Sequence, residues 1–528
     1  MSGVVYLIGA GPGDPGLITV RGRELLGRCD VVLYDALAHP SLLEHTRADA
    51  VLRFVGKRGG RFETPQAEIN AALVEHARAG KIVGRLKGGD PLLFARGAEE
   101  ALFLAEHGVR FEIVPGISSP VAASAYAGIP LTHRDHASSV LFLTGTPRAG
   151  TGPDGHDYRR LATRSGTICV LMGLSRVGEI AAELIRHGRP VDTPAAVIQR
   201  GSWSSQRVVE ARLDELAGAC EGAGLGGPAL IVIGDVVRLR AQLAWFEARP
   251  LFGRRVLVTR ARAQAGALCE RLRELGAEPV LAPTIETRPV LDEGLDDAVA
   301  RRSAYDVAAF TSANGARAAL DATWRLGLDA RAWATVKLAA VGPATARALA
   351  ERGLRADLVA EDHRGEALGA EILRAHPRAR VALFRARAGL DVLPDVVRRG
   401  GGEVTVVTAY ETLPARPELA EPLVDQLSRG ELDAVTLMSP SAVDGLAATL
   451  GPRAGELLSR AALVSIGPTT SDAVRARGWR VAATAATHSL EGLVDALVAT
   501  GAARGDQAGS SSRARGASGS GGASKPSV

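Results

Sequence analysis

The chain has 528 residues, too many for one hydrophobic core and enough for three to four compact units at roughly 150 residues each. Its 46% apolar and 23% charged residues give an ordinary globular profile. No run nears the ~18 uninterrupted apolar residues of a membrane span, and the first residues lack the basic-then-apolar order of a secretory leader. Of the net charge of +5, +3 lies in the tail, where Arg504, Arg513, Arg515 and Lys525 face one acid, Asp506; with aromatics at 4%, neither a nucleic acid nor a membrane is an expected partner.

From the N-terminus, VVYLIGA (4–10) reads as a strand stopped by glycines, GLITVRGRELLGRC (16–29) is helical in period, and VVLYD (31–35) is a strand again. QAEINAALVEHARAG (66–80) is a further helix. KIVGRL (81–86), RFEIVP (110–115), SVLFLTG (139–145), GTICVLMG (166–173), AAVIQRG (195–201) and PALIVIGDV (228–236) are strands, with 147–160 a turn-rich loop. This alternation predicts an α/β domain over 1–245 with largely parallel pairing. A boundary falls in FEARPLFG (246–253), and a second α/β domain is expected over 253–500. From 503 to 528 the chain is Gly, Ser, Ala and Arg, and a disordered tail is expected there.

The second half repeats itself. RVLVTRARA (255–263) resembles RVALFRARA (380–388), Glu286-Thr-Arg-Pro resembles Glu411-Thr-Leu-Pro, and Val341-Gly-Pro-Ala-Thr resembles Ile466-Gly-Pro-Thr-Thr, each at an offset of 125 residues. TSANG (311–315) finds a looser partner in MSPSA, with Ser312 and Ser439 127 apart. A period this long is no solenoid; it predicts a duplicated α/β unit and two similar lobes.

Cys29, Cys169, Cys220 and Cys269 form no CxxC pair and lie beside no histidine at ligand spacing, so neither a disulfide framework nor a zinc is expected, which fits a reducing cytoplasm. His133 and His136 lack a third ligand, and no metal site is predicted. The Gly9–Gly16 loop, after a strand and before a helix, suits close backbone approach to an anionic ligand or a tight structural turn. The turn Lys87-Gly88-Gly89-Asp90 has the same two readings, with Asp90 accepting from a ligand or capping the next helix. Asp35 and Lys57 end strands, where α/β crevices open. Lys57 and Lys87 stand out in a chain whose cations are mostly arginine, because a desolvated lysine exchanges a proton and an arginine does not.

In order, VYLIGAGPGDPGLITVRG, DVVLYD, FVGKR, RLKGGDPLLFARGAEE, VPGISSPVAASAYAGIPLTHRDHA and VLMGL resemble uroporphyrinogen-III C-methyltransferase across 1–245. That resemblance implies two α/β lobes with S-adenosylmethionine between them. Its binding positions carry over to Pro12, Gly88, Gly89, Asp90, Leu93, Ser118, Ser119, Met172 and Gly201, and its base and acid to Asp35 and Lys57. Ser118-Ser119-Pro120 departs from the Thr-Ala-Ala-like stretch of many relatives. A homodimer through this half is admitted by the resemblance.

Residues 253–500 are similar to uroporphyrinogen-III synthase through VLVTRA, TSANG, VGPAT, VVTAYET, SPSAV and IGPTT. The resemblance implies a bilobed fold without a cofactor, with crossover strands near 286 and 411. Tyr410, read as catalytic, and Thr469 match cleft positions; Ser312, Ser439 and Arg260 suit a polycarboxylate. Together the halves imply closure of hydroxymethylbilane to uroporphyrinogen III, then two methylations to precorrin-2, on the way to sirohaem or cobalamin. A second half that only senses a tetrapyrrole, and a nicotinamide-dependent first half, remain the alternatives.

Overall fold

The computed structural model describes residues 3–56, 64–146, 156–290, 293–362, 364–414 and 420–513. The chain divides into two compact units, 1–254 with 272–278, and 255–271 with 279 onward. The first unit thus runs nine residues past 245. Phe246 and Leu251 are buried in it, and the Phe246 ring lies 4.7 Å from that of Tyr126.

Among the described residues, the first unit holds two five-stranded sheets. The first takes β1 (Val4–Gly9), β2 (Val31–Tyr34), β3 (Val51–Phe54), β4 (Ile82–Lys87) and β5 (Arg110–Val114) in the order β3-β2-β4-β1-β5, all parallel. The second takes β6 (Val140–Thr144), β7 (Thr167–Leu171), β8 (Pro194–Gln199), β9 (Arg207–Arg212) and β10 (Ala229–Ile233) in the order β6-β7-β10-β8-β9. Here the expectation of largely parallel pairing fails: only β6 and β7 run parallel, and β7-β10-β8-β9 is antiparallel throughout. The helix Ser119–Tyr126 follows β5 and packs Ala123 on the second sheet beside Ile198 and Leu230. The expected loop at 147–160 is part helix, because Asp157 accepts from the Arg160 N–H and starts Tyr158–Ala162; residues 147–155 lie outside the described ones.

In the second unit the strands are β11 (Arg255–Val258), β12 (Glu278–Leu281), β13 (Ile285–Pro289), β14 (Val307–Phe310), β15 (Lys337–Ala340), β16 (Leu358–Val359), β17 (Arg380–Ala386), β18 (Glu403–Pro414), β19 (Ala434–Leu437), β20 (Ala462–Ser465) and β21 (Val481–Thr484). They form one sheet in the order β12-β11-β19-β20-β21 and another in the order β13-β18-β17-β14-β15-β16. The 125-residue offset relates β11 to β17, β12 to β18 and β15 to β20. Each sheet therefore combines the opening strands of one repeat with the closing strands of the other, and the repeats exchange halves. The Glu-Thr-x-Pro segments pair antiparallel, with Thr287 opposite Thr412.

The last helix runs Leu490–Arg513 and buries Leu493, Val494 and Leu497. Of the segment expected to lack structure, 514–528 lie outside the described residues. No helix among the described residues is long and apolar enough to cross a membrane.

Candidate functional site

The parallel strands β1, β2, β4 and β5 end at one edge of the first sheet. In the second sheet β7 and β8 point the same way, since each is antiparallel to β10. The loops leaving these ends enclose a cleft of about 1270 Å³. Pro12, Asp35, Gly88, Gly89, Asp90, Leu93, Ser118, Ser119, Met172 and Gly201 all line it, although they come from six separate loops. Lys57 lies outside the described residues; β3, which it was expected to end, stops at Phe54.

Backbone meets backbone along the floor. Gly11 donates to the Gly89 carbonyl at 3.2 Å and Gly89 to the Gly11 carbonyl at 2.7 Å, with φ of +75° and +71°. Asp90 does not cap the next helix, Gly97–Glu106, whose N-cap is Arg96; its side chain ties down the turn. It accepts from the Leu92 and Leu93 N–H at 2.8 and 3.1 Å and from Gly116 N–H at 3.1 Å. The Gly9–Gly16 loop is pinned from the second sheet. Tyr126 Oη donates to Asp14 Oδ2 at 2.7 Å, Asp14 N–H to Ser202 Oγ at 3.1 Å, and Trp203 Nε1 to the Pro12 carbonyl at 3.3 Å. Burial, then the Asp14 carboxylate, pushes the Tyr126 phenol above its usual range. Met172 at φ +54°, Arg200 at +48° and Ser202 at +70° hold left-handed backbone, and the Met172 side chain stands exposed in the cleft.

Asp35 follows β2, and its Oδ1 accepts from the Leu37 N–H at 3.0 Å. Its Oδ2 faces Arg85 at 3.6 Å. Arg85 and Lys87, two residues apart on β4, share the buried Glu100 carboxylate at 3.3 and 2.9 Å. Lys87, singled out in the sequence, lines the cleft with its ammonium held below the usual lysine range, by burial first and Arg85 second. Sequence reasoning does not single out Arg85 or Glu100. Two cations on the same face of a strand between apolar residues, IVGRLK, are the available signal. Arg96, Arg176 and Arg200 also line the cleft and make it suited to carboxylates.

His136 pairs with Asp235, and its ring lies 4.9 Å from that of His133. The four cysteines are buried and form no disulfide among the described residues; burial raises the thiols of Cys29 and Cys169 to about 12.

In the second unit Ser312 ends the turn after β14 and caps the helix Ala313–Arg325, while its hydroxyl meets Tyr410 Oη at 3.0 Å across the sheet. Burial pushes the Tyr410 phenol up. Arg260 leaves β11, donates to Gln264 Oε1 at 3.1 Å and approaches Met438 Sδ at 3.7 Å; Gln264 in turn donates to Asn314 at 2.6 Å. Arg260, Ser312 and Tyr410 thus belong to one neighbourhood. Ser439 caps the helix Pro440–Leu450, and Thr469 is exposed at the start of Pro468–Ala476. Among the described residues no hydrogen bond joins Thr469 to the other four.

Residues 4–217 match the family model of tetrapyrrole (corrin/porphyrin) methylases, and 266–495 that of uroporphyrinogen-III synthase HemD. Porphyrin biosynthesis protein HemD of Ruminiclostridium josui is 37% identical over 501 residues, which cover 94% of this chain and 98% of that protein. Uroporphyrinogen-III C-methyltransferase of Bacillus subtilis is 43% identical over 294 residues, 55% of this chain and 61% of the relative. The crystal structure of uroporphyrin-III C-methyltransferase from Thermus thermophilus complexed with S-adenyl homocysteine is 43% identical, covering 45% of this chain and 100% of that one with a TM-score of 0.39.

Proposed function

The chain belongs to the family in which a tetrapyrrole methylase is joined to a uroporphyrinogen-III synthase, and from that premise we propose the two reactions and their order. It is a bifunctional enzyme of tetrapyrrole biosynthesis. The second unit closes hydroxymethylbilane to uroporphyrinogen III, and the first methylates that product twice, giving precorrin-2. The observation that carries the methyl-transfer reading is Asp35 at the floor of a cleft whose walls are glycine backbone and whose side groups are arginines.

The residues present fit S-adenosylmethionine. Gly89 at φ +71° presents bare backbone beside Ser118 and Ser119, and Leu93, Met172, Ala229 and Leu230 offer an apolar face for the adenine. When bound, it supplies a sulfonium methyl group and leaves as the neutral thioether. The positive charge passes to the methylated pyrrole, which must then lose a proton. Asp35 accepts that proton and releases it to solvent, and Lys57 shuttles a proton between ring positions with no net gain or holds a substrate carboxylate. Arg96, Arg176 and Arg200 orient the carboxylates, so that much of the catalysis is positioning. In the second unit Arg260 binds substrate carboxylate, while Ser312, Tyr410, Ser439 and Thr469 hydrogen-bond to the chain as its last ring turns over.

Product analysis with hydroxymethylbilane and methyl-labelled S-adenosylmethionine tests the reading. Two labels per macrocycle are expected. Asp35→Asn lowers incorporation about 100-fold or more while S-adenosylhomocysteine still binds in calorimetry. Undiminished turnover in that variant removes Asp35 from the chemistry.

A further inference from the structure

Beneath the cleft floor lies a carboxylate that the proposed methyl transfer does not use. Glu100, on the helix Gly97–Glu106, has no exposed surface. Its Oε1 accepts from Lys87 Nζ at 2.9 Å, Gln66 Nε2 at 3.1 Å and Arg85 Nε at 3.3 Å. Its Oε2 is buried and has no partner among the described residues. An orphaned carboxylate oxygen is costly, and an apolar side chain at 100 would fill the same space without it. What the apolar side chain lacks is charge. Arg85 and Lys87 are only 5% and 4% exposed, and with Asp35 and Glu100 they make a cluster of two cations and two carboxylates. Removing Glu100 leaves one positive charge in excess at a site nearly closed to water. It also leaves the guanidinium, whose far nitrogen stands 3.6 Å from Asp35, with the Leu86 carbonyl at 3.1 Å as its remaining anchor besides Asp35 among the described residues.

We propose that Glu100 is a positioning residue for methyl transfer: by fixing Arg85 and Lys87 together it presents the Arg85 guanidinium to Asp35 and holds that carboxylate at the cleft floor. The inference rests on the methyltransferase reading of the first unit. Gln66 completes the cradle from the helix Gln66–Arg78, its amide also bonded to Asn70 at 2.9 Å.

The test is a double-mutant cycle on the full chain, with initial rates of methyl incorporation measured against uroporphyrinogen III concentration. Glu100→Gln keeps the shape and removes the charge. It is expected to lower kcat about tenfold or more, with KM and S-adenosylhomocysteine affinity within about twofold. In an Asp35→Asn background the same change is expected to cost less than about twofold, because the positioned group is already gone. Wild-type kcat in Glu100→Gln, or the full loss repeated in the Asp35→Asn background, overturns the proposal. Should Glu100→Gln not fold, Lys87→Met/Glu100→Gln removes one charge of each sign and leaves Arg85 facing Asp35. A folded double variant that recovers part of the activity supports the proposal. A folded one as inactive as Asp35→Asn overturns it, as does failure of both to fold, which makes Glu100 a purely structural residue. A wild-type chain that does not methylate uroporphyrinogen III overturns the methyltransferase reading and this inference with it, a result distinct from an additive cycle in an active enzyme.

Discussion

Gly89, which lines the cleft, and Gly116, packed against the backbone of Gly89 and Gly9, resist side chains for different reasons. A Cβ on Gly89 would meet nothing closer than the Ser119 nitrogen at 3.6 Å, so only its φ of +71° resists substitution. A Cβ on Gly116 would stand 2.3 Å from the Gly89 carbonyl oxygen and 2.7 Å from Gly9 Cα, both backbone that cannot step aside. Gly89→Ala is therefore expected to cost about 1 kcal/mol and Gly116→Ala ~3 kcal/mol, ordered accordingly in thermal melts. Equal costs would mean that the floor yields. His39 gives a pH-dependent counterpart. Its ring lies 4.8 Å from that of Trp203, and burial, more than any neighbouring charge, lowers its pKa to about 4. The unfolded chain then binds the proton that the folded chain refuses between about pH 6.5 and 4. Stability of the first unit should fall as pH drops through that window and level off below it, and His39→Gln should flatten that part of the melting curve. The Gly88-Gly89-Asp90 turn was legible in sequence because glycine after a strand announces close approach. Glu100 was not, since AEEALF reads as a solvated helix face until β4 is laid against it.

Most strands of the first unit were legible as apolar or β-branched runs, but β9, a charged and half-exposed edge strand, and the direction of pairing were not. β7, β8 and β10 are buried on both faces, so they lack the alternation that marks a half-exposed antiparallel strand and look like parallel ones. The 125-residue repeat likewise reported similarity without pairing, and the exchange of halves appears only in the strand order. Phe310 on β14 and Phe384 on β17 face each other in register, rings stacked 5.2 Å apart and fully buried, with Trp333 against both. One phenylalanine comes from each repeat. Phe384→Ala should cost the second unit about 3–5 kcal/mol, and the Phe310→Ala/Phe384→Ala pair should fall short of the sum of the single changes. Strict additivity in denaturant titrations would mean that the stack does not hold the exchanged halves together. Methylation should be untouched at temperatures where the variant stays folded.

At the scale of the whole chain, the cleft residues and the Arg260–Tyr410 neighbourhood fall in different units, and each unit carries its own cores. Leu7, Leu33 and Leu73 anchor one core of the first unit, and Val435, Leu437 and Leu446 one core of the second. Two separately active fragments are therefore expected, but the cut matters. Ending the first at 245 strips Phe246 and Leu251, which are 3% and 1% exposed, from their places, whereas a cut after Arg254 keeps them. Burial of two large apolar side chains contributes roughly 3–6 kcal/mol, much of a typical domain's stability. Fragment 1–254 should methylate supplied uroporphyrinogen III and melt higher than 1–245. The complementary fragment from 255 should close hydroxymethylbilane without S-adenosylmethionine, since ring closure needs no methyl donor. The one segment that argues against clean separation is Leu272–Glu278, which comes after 255 in sequence but clusters with the first unit. If the second fragment closes the ring only after 1–254 is added back, that segment needs the first unit to hold its shape, and the two activities share a structural dependence that neither chemistry requires.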